Sequence, residues 1–212
     1  MYMMLCVRPD ICFAVGYMGR YQQKPQDVHW QLLKRIVRYL KGTKTLKLKY
    51  NPRQNESPLT GFADSDWATD TSDRKSVSGY VFKVYDSAVS WSSKKQQTVA
   101  TSSSEAEYIA LSAATSEGLW LKGILEDLKE IAAEDPFVIF EDNQGCIAMS
   151  KNTECKRVKH IDIKHHFIRD HINNGTLKVE PIGTTDQLAD IFTKGLDIGR
   201  FKTLRFRLGL AD

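Results

Sequence analysis

The stretch SVSGYVFKVYDSAVSWSSKKQQTVATSSSEAEYIAL, residues 76–111, changes its period midway. Its first half holds two runs rich in β-branched and aromatic residues, 77–84 and 88–93, which predict strands. Its second half opens with serines and then places apolar residues at helical spacing, which predicts a long helix over about 103–129. Upstream, residues 59–64 form another apolar run, separated from 77–84 by a polar loop at 68–76. Downstream, FVIFE at 137–141 predicts a short buried strand and 143–151 a short helix. A helix over 160–173 ends at Asn173-Asn174-Gly175. A strand over 176–182 and two helices, about 185–194 and 198–208, close the chain. This order predicts a mixed α/β domain with one main sheet.

Before residue 59 the pattern differs. Two helices are expected, over 10–22 and 26–41, the second with Val28, Leu32, Leu33, Ile36, Val37, Tyr39 and Leu40 at amphipathic spacing. LKLKY at 46–50 alternates like a strand. The polar, proline-containing NPRQNESP at 51–58 is the best candidate for a boundary, dividing the chain into 1–54 and 55–212. Charge divides at the same place. The chain carries +4 overall, but residues 1–54 hold 11 Lys or Arg against only Asp10 and Asp27. The remainder is net acidic, which suggests two parts with different tasks.

Composition narrows the classes. Hydrophobic residues make up 42% and charged residues 26%, enough for a buried core in a globular chain. The apolar start, Met1–Val7, stops at Arg8-Pro9 and is too short for a signal core or a membrane span. It suggests a chain that begins inside a larger architecture. Cys6, Cys12, Cys146 and Cys155 show no C-x-x-C spacing, so a zinc ribbon is not expected and a reducing intracellular setting is.

Four acids stand out. Asp64 and Asp142 each follow an apolar strand, at the end of a sheet where α/β folds bind ligands. On local pattern alone, turn or cap residues are the commoner reading of both. On the long helix, Ser102 and Glu105 fit a capping box, and so do Ser104 and Glu107. Glu107 lies in line with Leu111, Ala114, Leu121 and Leu125, whereas Glu105 lies in line with Ser112, Thr115 and Ser116, expected to be exposed. A carboxylate on an apolar face is costly unless paired or bound to metal, so Glu107 is the functional candidate. Thr184 and Gln187 predict the start of a helix over Asp186–Lys194, whose inward stripe of Leu188, Ile191 and Phe192 flanks Asp190. Together Asp64, Glu107, Asp142 and Asp190 would form an all-oxygen site suited to Mg²⁺ or Mn²⁺.

GFADSDWA at 61–68, DRKSVSGYVF at 73–82, SWSSKKQQTVATSSSEAEYIAL at 90–111, EDNQGCIAMSKN at 141–152, KHIDIKHHFIRDHI at 159–172 and DQLADIFTKGL at 186–196 resemble the ribonuclease H domain of copia-type LTR retrotransposon polyproteins. RPDICFAV at 8–15 and HWQLLKRIVRYLKGT at 29–43 resemble the end of the reverse transcriptase that precedes it. The resemblance implies a ribonuclease H-like five-stranded mixed sheet flanked by helices and preceded by a short helical segment. It implies metal-dependent hydrolysis of the RNA strand of an RNA–DNA hybrid, leaving a 3′-hydroxyl and a 5′-phosphate. The four catalytic, metal-holding acids of the family fall on Asp64, Glu107, Asp142 and Asp190. Two Mg²⁺ are implied, bridged by Asp64, with Glu107 and Asp142 on one and Asp190 on the other; Mn²⁺ could substitute. The upstream polymerase is the implied partner, and no membrane is involved. The implied location is cytoplasmic, in a virus-like particle, or nuclear.

Two departures from the family pattern exist. Pro181–Thr185 lacks the histidine common before the last catalytic segment, while His160, His165, His166 and His171 cluster on the preceding helix. Gly195 stands where the family usually has proline. No Y-x-D-D polymerase motif occurs. Other readings remain: an integrase-like nuclease of the same fold, or a silent remnant that binds nucleic acid. Expected contacts to the hybrid are Ser65, Ser103, Ser104, Asn143 and Gln144 near the acids, Lys94 and Lys95, and the Lys34, Arg35, Arg38 and Lys41 face. Trp67, Trp91 and Trp120 are expected in the core, and Trp30 is left open.

Overall fold

The computed structural model describes residues 1–50, 57–70, 73–151 and 159–212, with backbone alone at 159–163 and 165. Helix α1 (Tyr2–Cys6), a 3₁₀ turn (Pro9–Ile11), α2 (Cys12–Gly19) and α3 (Asp27–Gly42) come first, followed by the short strand β1 (Lys47–Leu48). Strands β2 (Leu59–Asp66), β3 (Val77–Val84) and β4 (Ser87–Lys95) lead into α4 (Ser103–Asp127). Strand β5 (Phe137–Glu141), α5 (Gln144–Lys151), α6 (Lys159–Asn173) and β6 (Leu177–Pro181) follow. Two 3₁₀ turns (Thr184–Asp186 and Leu188–Phe192), α7 (Ile198–Arg207) and β7 (Leu210–Ala211) end the chain.

The expected five-stranded mixed sheet is present, in the order β4-β3-β2-β5-β6. Strands β2, β3 and β4 are antiparallel neighbours, while β2–β5 and β5–β6 run parallel. Parallel neighbours need a crossover, and α4 supplies the first, α5 and α6 the second. Central β2 is covered on both faces, which is why LTGFADSD does not alternate cleanly between apolar and polar. On one face Tyr108, Leu111 and Ala114 of α4 pack with Ile139, Ile147 and Ile168. On the other, Leu188–Phe192, Leu204 and Leu208 cover Phe62, Val81 and Trp91. None of the described helices is long and apolar enough to cross a membrane.

The N-terminal helices complete that second face. Met4, Ile11 and Cys12 are buried in the same cluster as Trp91, whose Nε1 donates to the Met4 carbonyl at 2.7 Å. The predicted strand at 46–50 shortens to β1, which pairs antiparallel with β7, a strand the sequence pattern did not announce. Arg8 is buried and grips Asp10 through Nε–Oδ1 at 2.9 Å and Nη2–Oδ2 at 2.8 Å. Tyr39 of α3 donates to the same Asp10, and Arg205 of α7 donates to the Tyr39 hydroxyl at 3.1 Å. The proposed boundary at 54/55 falls outside the described residues.

Three expectations need correction. Residues 185–194 are not an α-helix. Gln187 is fully buried, its Nε2 donates to the Ala63 carbonyl at 2.8 Å, and its backbone is extended there. That bond to the back of β2 outweighs helical propensity and leaves two 3₁₀ turns. Trp67 and Trp120 are not core: they are 48% and 61% exposed, whereas Trp91 is 9% exposed. Trp67 lies beyond the covered part of β2, and Trp120 precedes the buried Leu121 on the outer side of α4. Glu105, Ser112 and Thr115 are buried rather than exposed, because α4 is wedged between the sheet and α5–α6 and hides more than one stripe.

The last 3₁₀ turn comes very close to β3. A Cβ on Gly79 would lie 2.7 Å from Phe192 Cβ and 2.7 Å from Thr193 Cγ2. Gly79 is also the β3 register partner of Asp64. The missing side chain therefore lets Thr193 and Asp190 approach the strand that carries Asp64.

Candidate metal centre

Asp64, Glu107 and Asp142 converge from three elements: the end of β2, the second turn of α4 and the residue just past β5. One carboxylate oxygen of each lies within 4.8 Å of the others. Asp64 and Glu107 are buried, and Asp142 is half-buried. The start of α4 is fixed by Ser102, whose hydroxyl accepts from the Glu105 N–H at 3.2 Å. The Glu105 carboxylate caps backward onto Thr101, accepting from its N–H at 2.7 Å. Glu105 thus has a structural task, which leaves Glu107 two residues later as the α4 acid beside the cluster.

A fourth acid was missed. Glu141 is fully buried beside the cluster. Its Oε1 accepts from Asn143 N at 3.1 Å, and its Oε2 has no hydrogen-bond partner among the described residues. The alternation of FVIFE carried the signal, since Glu141 shares a face with Phe137 and Ile139. Asn143 ties the loop together by accepting from Cys146 N at 2.9 Å and from Ser104 Oγ at 3.0 Å.

Asp190 lies nearby but outside the three-acid group. Its carboxylate pairs with Lys194 Nζ at 2.7 Å and with Arg200. Lys194 Nζ is also 3.9 Å from Asp64, to which Thr193 Oγ1 donates a hydrogen bond. Thr193, Lys194 and Arg200 are thus parts of the site that no spacing argument singled out; only the folding of the last 3₁₀ turn against β2 and β3 brings them there.

The electrostatics call for a cation. Burial pushes the Asp64 carboxyl up to about 7, opposed by Lys194 and assisted by Asp190. Burial, then Glu141 and Asp64, push Glu107 up to about 11. Burial pushes Glu141 up to about 8. Glu107 Oε2 is buried with no hydrogen-bond partner among the described residues. Like charges gathered out of water are costly without a compensating ion, and a donor set of carboxylate oxygens suits a hard divalent cation.

This has a consequence for stability. Each raised carboxyl holds its proton more tightly folded than unfolded, so the native chain binds more protons over that interval. Stability should therefore fall as pH rises from the unfolded carboxylate range, near 4, through about 7 and 8. In EDTA, Tm is expected to drop by roughly 5 °C or more between pH 5 and pH 9. Adding Mg²⁺ at pH 9 should recover it. A melting temperature that is flat or rising over this range would contradict the arrangement.

The expected hybrid contacts sort by position. Ser65 is buried, its hydroxyl without a hydrogen-bond partner among the described residues, and Ser103 and Gln144 are exposed beside Ser104 and Asn143. Lys94 is exposed at the end of β4, while Lys95 pairs with Asp70 and, at 2.9 Å, with Asp73. Lys34 lies over the Trp30 ring at 5.9 Å, and Trp30 and Arg38 are exposed on α3. Of the histidine group, His171 packs edge-on against Phe167, while the side chains of His160 and His165 lie outside the described residues. Cys6, Cys12 and Cys146 are free thiols, and Cys155 lies outside the described residues.

No protein-family model matches the chain. It is 39% identical over 211 residues to the retrovirus-related Pol polyprotein from transposon TNT 1-94 of Nicotiana tabacum, covering 99% of this chain and 16% of that one. It is 39% identical over 204 residues to the corresponding polyprotein from transposon RE2 of Arabidopsis thaliana, covering 96% and 14%. Among solved structures, LC11-RNase H1 isolated from compost is similar with a TM-score of 0.49 and 15% identity, over 65% of this chain and 94% of that one.

Proposed function

The chain belongs to the copia-type retrotransposon Pol polyproteins, spanning 14–16% of the length of the two polyproteins named above, and we propose that it is their RNA–DNA hybrid ribonuclease segment. In this reading residues 55–212 form the ribonuclease H domain, and residues 1–54 are the end of the preceding polymerase. The observation that carries the reading is the convergence of Asp64, Glu107 and Asp142 within 4.8 Å.

The three carboxylates would hold Mg²⁺, with Mn²⁺ as a substitute. A bound ion of this kind acts as a Lewis acid on a phosphoryl oxygen and makes hydroxide from water near neutral pH. The protein's own part is positioning. Thr193 steadies Asp64, and the Ser102 and Thr101 caps fix the turn that carries Glu107. The β5 exit, tied through Asn143, places Asp142. Lys194 and Arg200 neutralise Asp190, so a second ion bound through Asp190 has those two cations to compete with. Ser104, Asn143 and Gln144 offer hydroxyl and amide groups suited to the 2′-hydroxyls that distinguish RNA from DNA.

The test is incubation of the purified chain with Mg²⁺ and a hybrid labelled on its RNA strand. The expected products are RNA fragments with 3′-hydroxyl and 5′-phosphate ends, with duplex DNA left intact. Equal cutting of duplex DNA would sink the hybrid specificity, and an uncut hybrid would sink the activity.

A further inference from the structure

A groove of about 570 Å³ runs between α2, α3 and α7, outside the metal centre. Its floor is apolar and aromatic, formed by Ile11, Phe13, Tyr17, Ile36, Ile191 and Phe201. Arg35, Lys194, Lys202 and Arg205 also line it. The single acid in its lining, Asp10, is already committed to Arg8 and Tyr39. Lys194 is paired with Asp190, so among the described residues the groove offers three cations, Arg35, Lys202 and Arg205, and no free anion. Arg205 Nε is buried without a hydrogen-bond partner among the described residues. The lining residue Lys194 reaches Asp190 at 2.7 Å and lies 3.9 Å from Asp64, so the groove adjoins the acid cluster through that side chain.

We propose that this groove holds a single nucleic-acid strand leading away from the metal centre. Bases would lie on the Phe13, Tyr17 and Phe201 floor, and phosphates on Arg35, Lys202 and Arg205. An aromatic floor with a cationic lining is what an unpaired strand requires, because its base faces are free and its backbone carries one charge per nucleotide. A duplex keeps those faces stacked inside. An apolar peptide would use the floor but leave Arg35, Lys202 and Arg205 unanswered. The direction of the strand rests on the cleavage reading above; the binding does not.

The test is fluorescence anisotropy in EDTA, so that no catalysis is involved, with the full chain and labelled 12-nucleotide DNA and RNA of one sequence. Both should bind, and the tighter arm identifies the strand held. The Arg35→Gln/Lys202→Gln double variant changes two exposed side chains. It should bind at least about tenfold more weakly and lose about 1.4 from the slope of log K against log salt, since each single-strand phosphate contact contributes about 0.7. Tyr17→Leu should weaken binding about tenfold and leave that slope unchanged, as loss of stacking does. Wild-type affinity and slope in the double variant would overturn the proposal. So would a wild-type chain that binds neither strand but forms a dimer disrupted by Tyr17→Leu. If the wild-type chain cuts no hybrid yet the double variant still loses strand binding, the cleavage reading fails and the groove stands.

Discussion

Asp142→Asn is expected to lower hybrid cleavage by on the order of 10³-fold or more, about 4 kcal/mol of transition-state stabilisation. Asparagine keeps the shape of the side chain and removes its charge. The three-carboxylate group then offers a divalent ion one anion fewer, with no other described acid within the same 4.8 Å group to replace it. The fold should survive, because Asp142 is one of the charges raising Asp64, Glu107 and Glu141. Removing it relieves repulsion, so in EDTA at pH 9 the variant should melt no lower than the wild-type chain. Glu105→Gln is the control. Glu105 is more deeply buried than Asp142 but caps Thr101, so its loss should cost stability and lower cleavage far less than Asp142→Asn does. Undiminished cutting by Asp142→Asn would remove the metal-centre assignment.

Asp10→Ala is expected to destabilise the chain by about 3–5 kcal/mol, the cost of a buried ion left without its partner. Arg8 and Asp10 are each 4% exposed, so neither has water to fall back on. Arg8 also donates to Thr43 Oγ1 at 2.8 Å, and Tyr39 donates to Asp10. The change therefore loosens the junction of the N-terminal helices with α3 and α7 together. Urea denaturation with tryptophan fluorescence reads it directly, because Trp91 is buried in the cluster that Met4 and Ile11 share. An Arg8→Met/Asp10→Leu pair of similar bulk should recover much of the loss, as replacement of a buried ion pair by apolar residues often does. A loss below about 1 kcal/mol for Asp10→Ala would mean that the N-terminal helices are not coupled to the sheet.

The main elements were legible because each is a local pattern. The runs at 59–64, 77–84 and 88–93 became β2, β3 and β4, and the serine-led segment became α4. Asp64 and Asp142 were legible as acids following apolar strands, and Glu107 as an acid on an apolar helical face. Glu141 was legible in principle from alternation, yet one acid beside another hides in a sequence. The 3₁₀ path through Gln187 was not legible, since a capping pattern is local and the Gln187–Ala63 bond spans 124 positions.

By itself the sequence determined the order and type of the main strands and of the long helix, the family, and which acids follow strands or share a helix face. These depend on side-chain period and identity, which act over a few residues. Only the tertiary structure decided that three of the four chosen acids meet while Asp190 turns to Lys194 and Arg200. It alone buried Glu141 and placed the basic N-terminal helices against the second face of the sheet, forming the cationic groove. Such outcomes depend on which distant surfaces exclude water from one another, and spacing along the chain does not encode that.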